Sequence, residues 1–273
     1  MLRKGILLLR TVAFNATFFP LTLLWAAGLV LVTLPFPAER GLVPGILIWL
    51  RFVESVLLRG IAGIRVEVRG LEHVPRDRAV ILLAKHMSNL DPIVTFARLP
   101  RMTALAKKEL FQIPFIGAIF RKLGIVRIDR QSGRAHEQMP QVLAAVKSAR
   151  RPLVVYPEGT RVRPGERRKL KSGAFYLQLD GDIPVVPVAT NSGLHWPKGL
   201  ALLRPGTVIY EFGPPLPHVR DKERFLALTE EHVLSRSDAL MRADPVYQEW
   251  FPHGEGESRQ TLRPEDGDRE RAA

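Results

Sequence analysis

The residues best suited to chemistry stand in two short blocks. The first is KHMSNLDP, residues 85–92, directly after a run of apolar, strand-forming residues. A loop there can bring the Asp91 carboxylate to one nitrogen of the His86 imidazole, leaving the other nitrogen free to take a proton. Asp91-Pro92 also has the form of a helix start, with Asp as N-cap and Pro at the first helical position. A surface histidine beside an ordinary capping aspartate fits the same residues. The second block is YPEGTR, residues 156–161. Pro157 and Gly159 force a sharp turn there, from which Glu158 and Arg161 are expected to project at the carboxyl edge of a sheet. A plain β-turn with solvated charges is the alternative. Arg161, Arg163, Arg167, Arg168, Lys169 and Lys171 follow closely, with Glu166 the one acid among them. Such a run suits phosphate or lipid head groups, or is simply a solvated face.

Two further blocks carry less by themselves. GIVRIDR, residues 124–130, ends a strand with Arg130 at a loop mouth, where a planar guanidinium matches phosphate oxygens. IPVVPVA, residues 183–189, reads as a buried strand and pocket wall with no reactive group.

Positioning these residues requires a sheet. Strands are predicted at 65–68, 79–84, 103–106, 125–128, 153–156, 185–189 and 208–212. Helices are predicted at 92–99, 114–123, 134–149, 172–179 and 221–241. Strands separated by helices imply an α/β fold, a sheet with helices on its faces. Residues 62–245 form this body, and 246–273 read as a polar, disordered tail.

The first 61 residues form a membrane-associating segment of two helices. No charge occurs from Thr11 to Pro35, a run long enough to cross a bilayer. It exceeds the apolar core of a secretory signal, and Arg3, Lys4 and Arg10 favour a cytoplasmic N-terminus. In residues 41–64, Arg51, Glu54, Ser55 and Arg59 share one helical arc, opposite Trp49, Leu50, Val53, Val56 and Leu57. That describes an interfacial helix, or a helix packed on a core, the interfacial form being favoured. The pair either dips into one leaflet and returns, or its first member spans; a cytosolic site favours the return.

Composition narrows the partners. The 273 residues hold 40 Lys and Arg against 27 Asp and Glu, a net of +13. The tail 253–273 has four Arg against six acids, which leaves +15 on residues 1–252. Such a charge calls for anionic partners. With no cysteine there is no thiol nucleophile or thiolate metal site. The histidines show no His-x-x-x-His pair, and P-loop and Gly-x-Ser-x-Gly signatures are missing, so no metal is expected. No nucleic-acid module accompanies the basic charge, and nucleic acid is not expected as a partner.

In order, the four blocks resemble the glycerolipid acyltransferase superfamily, most closely the 1-acylglycerol-3-phosphate O-acyltransferases. The resemblance covers roughly residues 60–215, and AKKELFQIPFIG, residues 106–117, also looks family-like. Tyr156 stands where Phe is commoner, and Arg127 where an apolar residue is more usual. The resemblance implies a mixed, mostly parallel sheet and acyl transfer from a thioester to lysophosphatidate, giving phosphatidic acid. It implies His86 as general base oriented by Asp91, Lys107 at the oxyanion, and direct transfer without an acyl-enzyme. Arg130, Glu158, Gly159, Thr160 and Arg161 would hold the phosphorylated acceptor. Acyl-CoA or acyl-carrier protein would be the donor substrate, with no cofactor, at the inner membrane with the site facing the cytoplasm. A related acyltransferase using glycerol 3-phosphate or another lysolipid is the alternative.

Overall fold

A computed structural model describes residues 2–128, 139–199 and 201–251. Seven strands among these form one sheet in the order β1-β7-β6-β2-β5-β3-β4. They are β1 Ile64–Arg69, β2 Val80–Ala84, β3 Thr103–Lys107, β4 Val126–Ile128, β5 Pro152–Val155, β6 Val185–Thr190 and β7 Gly206–Phe212. Every neighbouring pair is parallel except β6 with β7. The predicted strands are all present, shifted by a residue or two at their ends.

The helices are α1 Leu2–Thr33, α2 Ala38–Ala62, α3 Leu90–Arg98, α4 Ile116–Leu123, α5 Met139–Ala149, α6 Gly173–Gly181 and α7 Ser192–His195. After β7 come α8 Lys222–Thr229, α9 Arg236–Arg242 and α10 Pro245–Trp250, a π-turned stretch joining α8 to α9. Residues 134–138 of the helix expected at 134–149 lie outside the described residues.

Why the core divides in two follows from the strand period. Side chains alternate between faces, so in β2 Val80, Leu82 and Ala84 point one way and Ile81 and Leu83 the other. The first face meets Phe14 and Phe18 of α1, Trp49, Leu50, Val53, Leu57 and Leu58 of α2, and Val94 of α3. The second meets α5, α6 and α8 through Val142, Val146, Phe175, Leu177 and Phe225. Strands buried on both faces need apolar residues at every position, which is why β2 reads VILLA.

The N-terminal helices α1 and α2 pack on the body. They supply one covering layer of its sheet. Thr11 Oγ accepts the Leu203 amide at 2.9 Å, and the Phe14 ring lies 4.9 Å from that of Trp196. The core-packing reading of α2 holds for Trp49, Leu50, Val53 and Leu57. Val56, expected on that side, is exposed with Ile48 and Phe52. Helix α2 thus carries two apolar faces, one spent on the core. Helix α1 leaves Leu8, Leu9, Val12, Phe19, Leu24 and Leu31 exposed.

At the other end, helical packing continues past residue 245. Helix α10 is capped by Asp244, Glu249 pairs with Arg3, and the Arg204 guanidinium sits 4.5 Å over the Trp250 ring. Apolar Val246 and Tyr247 give this short segment something to bury. The rest of the expected tail, residues 252–273, lies outside the described residues.

If α1 belongs to the core, Phe14→Ala should cost about 3–5 kcal/mol, as for a large buried aromatic. Denaturant unfolding in mild detergent measures this, and an unchanged midpoint would mean that α1 detaches freely.

Candidate active site

Strands β2, β5 and β6 run parallel side by side, with Leu83 opposite Val155 and Ala84 opposite Val188. Their carboxyl ends therefore open onto one edge of the sheet, and each delivers a block to it: residues 85–91 after β2, 156–161 after β5 and 190–192 after β6. Ligands of α/β sheets bind at such edges.

His86 Nδ1 lies 2.8 Å from Asp91 Oδ2. Facing a carboxylate, Nδ1 carries the proton, so Nε2 is the acceptor. The Tyr156 ring stacks on the imidazole, centroids 3.9 Å apart and planes within 15°. The His86 backbone is held as well: its amide donates to Glu158 Oε2 at 3.0 Å, and its carbonyl accepts from the Val162 amide at 2.8 Å.

Asp91 does not cap the helix, contrary to expectation. Helix α3 begins at Leu90, two residues before the expected start, and the Leu90 amide is taken by Ser88 Oγ at 3.0 Å. The Asp91 carboxylate turns back into the loop instead. Its Oδ2 accepts the Met87 and Ser88 amides at 2.8 and 2.9 Å besides His86. Its Oδ1 accepts Ser192 Oγ at 2.6 Å and the Tyr210 hydroxyl at 2.8 Å. Burial, and then the Asp91 charge, push the Tyr210 phenol well above the usual tyrosine range, so it stays protonated as a donor. Tyr156 is pushed up by the same two causes.

Glu158 likewise departs from its expected outward position. It turns inward and is 4% exposed, since the carboxylate is drawn to the His86 amide and to Lys85 Nζ, 3.6 Å away. Lys85 in turn lies 4.0 Å from Asp238 of α9, whose other partner is Arg167. Burial raises the Glu158 carboxyl above its ordinary value, while Lys85 and the His86 amide pull it partly back. Of the basic run, Arg167 is paired with Asp238 and Glu230, and Arg168 with Glu166.

Gly159, Thr160 and Arg161 line a cavity together with His86 and with Lys107 from the end of β3. Gly159 makes this turn with φ +70, a conformation that favours glycine. The Arg161 guanidinium bonds Asn89 Oδ1, tying the second block to the first. The cavity holds about 500 Å³ and is mostly apolar, running from this polar rim to Trp25 and Leu29 of α1, Ile46 and Trp49 of α2, and Ile119 of α4. Arg130 lies outside the described residues.

Sequence reasoning missed Ser192 and Tyr210. A polar run, Thr190-Asn191-Ser192, directly after a buried strand was the available signal for Ser192. Nothing in the sequence marks Tyr210, an aromatic residue within an ordinary strand.

Known proteins place this arrangement. Residues 65–191 match the family model described as Acyltransferase. The solved 1-acyl-sn-glycerophosphate (LPA) acyltransferase of Thermotoga maritima shares the fold, with TM-score 0.70 at 23% identity, over 87% of this chain and 97% of that one. A 1-acyl-sn-glycerol-3-phosphate acyltransferase of Pseudomonas aeruginosa is 29% identical over 244 residues, 88% of this chain and 93% of that protein. The alpha form from Mus musculus is 29% identical over 257 residues, 86% of each chain. A mixed sheet with this edge and these matches define a transferase of acyl groups. Over residues 65–191 the chain is similar to the acyltransferase family, and its class of enzyme is O-acyltransferase.

Because its folded pKa lies above its ordinary 4.5, Glu158 supports the fold most below that value, and the support is lost as pH rises through the folded pKa. Glu158→Gln lacks this titration. Measured by thermal unfolding from about pH 4 to about pH 7, the variant should gain on the native chain as pH rises. A constant difference would mean that Glu158 titrates normally in the fold.

Proposed function

We propose that the protein transfers a fatty acyl group from an acyl thioester to the free hydroxyl of 1-acylglycerol 3-phosphate, forming phosphatidic acid. The observation that carries this reading is the His86–Asp91 pair at the polar rim of an apolar cavity. One chamber thereby offers a base beside a slot suited to an alkyl chain. The names of the relatives support lysophosphatidate as acceptor.

In this reading His86 Nε2 removes the proton from the acceptor hydroxyl. The oxygen attacks the thioester carbonyl, the new C–O bond forms and the C–S bond breaks. The proton passes from His86 to the departing thiolate. Lys107, on the cavity rim, stabilises the oxyanion. Thr160, the Gly159 turn and Arg161 hold the acceptor phosphate, with Arg130 as a second guanidinium. Glu158 serves by holding the His86 backbone, since a buried carboxylate is unsuited to a phosphate. A thioester is already activated, so a base, an oxyanion donor and positioning suffice without metal, cofactor or acyl-enzyme. Acyl-CoA or acyl-carrier protein supplies the acyl group.

The exposed apolar faces of α1 and α2 lie in the bilayer surface, and the cavity reaches these helices. Acceptor and product are lipids, so a chamber walled by membrane-lying helices gives them a short apolar path. The site faces the cytoplasm.

Purified protein with lysophosphatidate and a series of acyl-CoA donors should release free thiol and form phosphatidate in equal amounts. A panel including glycerol 3-phosphate and other lysolipids tests the acceptor; activity confined to another member would overturn the assignment. His86→Ala should lower kcat at least about a hundredfold with an unchanged unfolding midpoint. A near-native rate would remove His86 from the chemistry. Ala104 lines the cavity on β3. Ala104→Phe should shift donor preference to shorter chains, and an unaltered chain-length profile would place the alkyl chain elsewhere.

A further inference from the structure

We infer that Ser192 and Tyr210 are positioning residues for the His86 base, acting on it through the second oxygen of Asp91. The inference rests on the reading of His86 as base and goes beyond it, because both residues lie outside the blocks that carry the proton.

Their placement is built. Ser192 opens α7 directly after β6, and its amide bonds Thr190 Oγ1 at 3.1 Å. Asn191 pins this corner to the neighbouring strand, donating to Thr207 O at 3.1 Å and accepting the Ile209 amide at 2.8 Å. Its amide nitrogen also donates to Asp244 at 2.9 Å. The next residue must be very small: a Cβ on Gly193 would stand 2.7 Å from that of Met87. Helix α7 thus presses against the loop of the first block, which brings Ser192 Oγ to Asp91. Tyr210 comes from β7, where it lies opposite Thr190. Ser192, Tyr210 and Asp91 are each 2% exposed or less, so water does not replace these bonds.

The effect on the base follows from charge. Asp91 accepts five donors, and two of them hold Oδ1. These two draw negative charge toward Oδ1 and keep the carboxylate from rotating about its bond. Without them more charge falls on Oδ2, which favours the protonated imidazole, and the ring loses its fixed bearing. The other groups facing His86 are Tyr156 across its ring and Glu158 at its amide, with Lys85 and Asp238 behind Glu158. Lys107 and Arg161 stand across the cavity. The two hydroxyl deletions leave all of these in place.

The test compares Tyr210→Phe, Ser192→Ala and His86→Ala, each alone, and the two hydroxyl deletions in the His86→Ala background. Each hydroxyl deletion should lower kcat about tenfold, the scale of a hydrogen bond to a charged group, with acceptor KM within about twofold. The acid limb of the kcat–pH profile should move to higher pH. Neither deletion should lower the residual rate of His86→Ala further. Native kcat and pH profile in folded Tyr210→Phe and Ser192→Ala, with His86→Ala inactive, would overturn this inference and leave the base assignment standing. Equal losses with and without His86 would mark a purely structural role and also overturn it. A near-native His86→Ala would remove both readings. Each deletion removes only a hydroxyl, and if one variant does not fold the other gives the same comparison.

Discussion

The site depends on how one buried carboxylate is satisfied. Asp91 is 1% exposed and carries a charge whose burial is tolerable only with donors on both oxygens. It finds them on three pieces of chain: the loop 86–88, through the His86 ring and the Met87 and Ser88 amides, Ser192 after β6, and Tyr210 in β7. The sheet order makes this possible by placing β6 beside β2 and β7 beyond it. A single anion therefore joins the middle of the sheet to the loop that bears the imidazole. The same economy is repeated one layer away, where Glu158 joins the His86 amide to Lys85, and Lys85 to Asp238 of α9. Polar groups buried in such sets stay ordered because each is costly to leave unpaired.

The second constraint is apolar. A sheet with two greasy faces needs two covers. The helices α5, α6 and α8 make one; the N-terminal helices make the other, leaving beside them a cavity of about 500 Å³ that ends at His86. The exposed apolar surface of α1 and α2 and the wall of the cavity are opposite sides of the same two helices. This joins lipid contact to catalysis in the proposed function: the chamber that would take the acyl chain is partly built from the elements that would rest in the membrane.

Much of this was legible in the chain. Continuous apolar runs named β2, β5 and β6, because a strand buried on both faces allows little but apolar residues, and alternation named β1 and β7, which are buried on one face. The His86 and Asp91 spacing named the pair, since five residues fit one loop. Where the reading went astray, local and tertiary demands competed. Asp91-Pro92 carries the pattern of a helix start, but two inward-facing amides and an imidazole were stronger partners for the carboxylate. Glu158 sits in a turn, where charged residues usually meet water, yet a buried Lys85 required a counter-ion. Helix α10 was lost to the tail because six residues are too few to show a period.

The net charge of +13 told which kinds of partner to consider, and the absence of cysteine removed whole classes of nucleophile. The sequence by itself determined the elements, the blocks at the sheet edge and the amphipathic character of the N-terminus, because these depend on residues near one another in the chain. Only the tertiary structure decided that the N-terminal helices wall the sheet, that Glu158 faces inward, and that Ser192 and Tyr210 meet Asp91 across 101 and 119 residues of chain. Those choices come from pairing buried charges and covering apolar faces. Both are contests among distant residues, settled when the strands take their order.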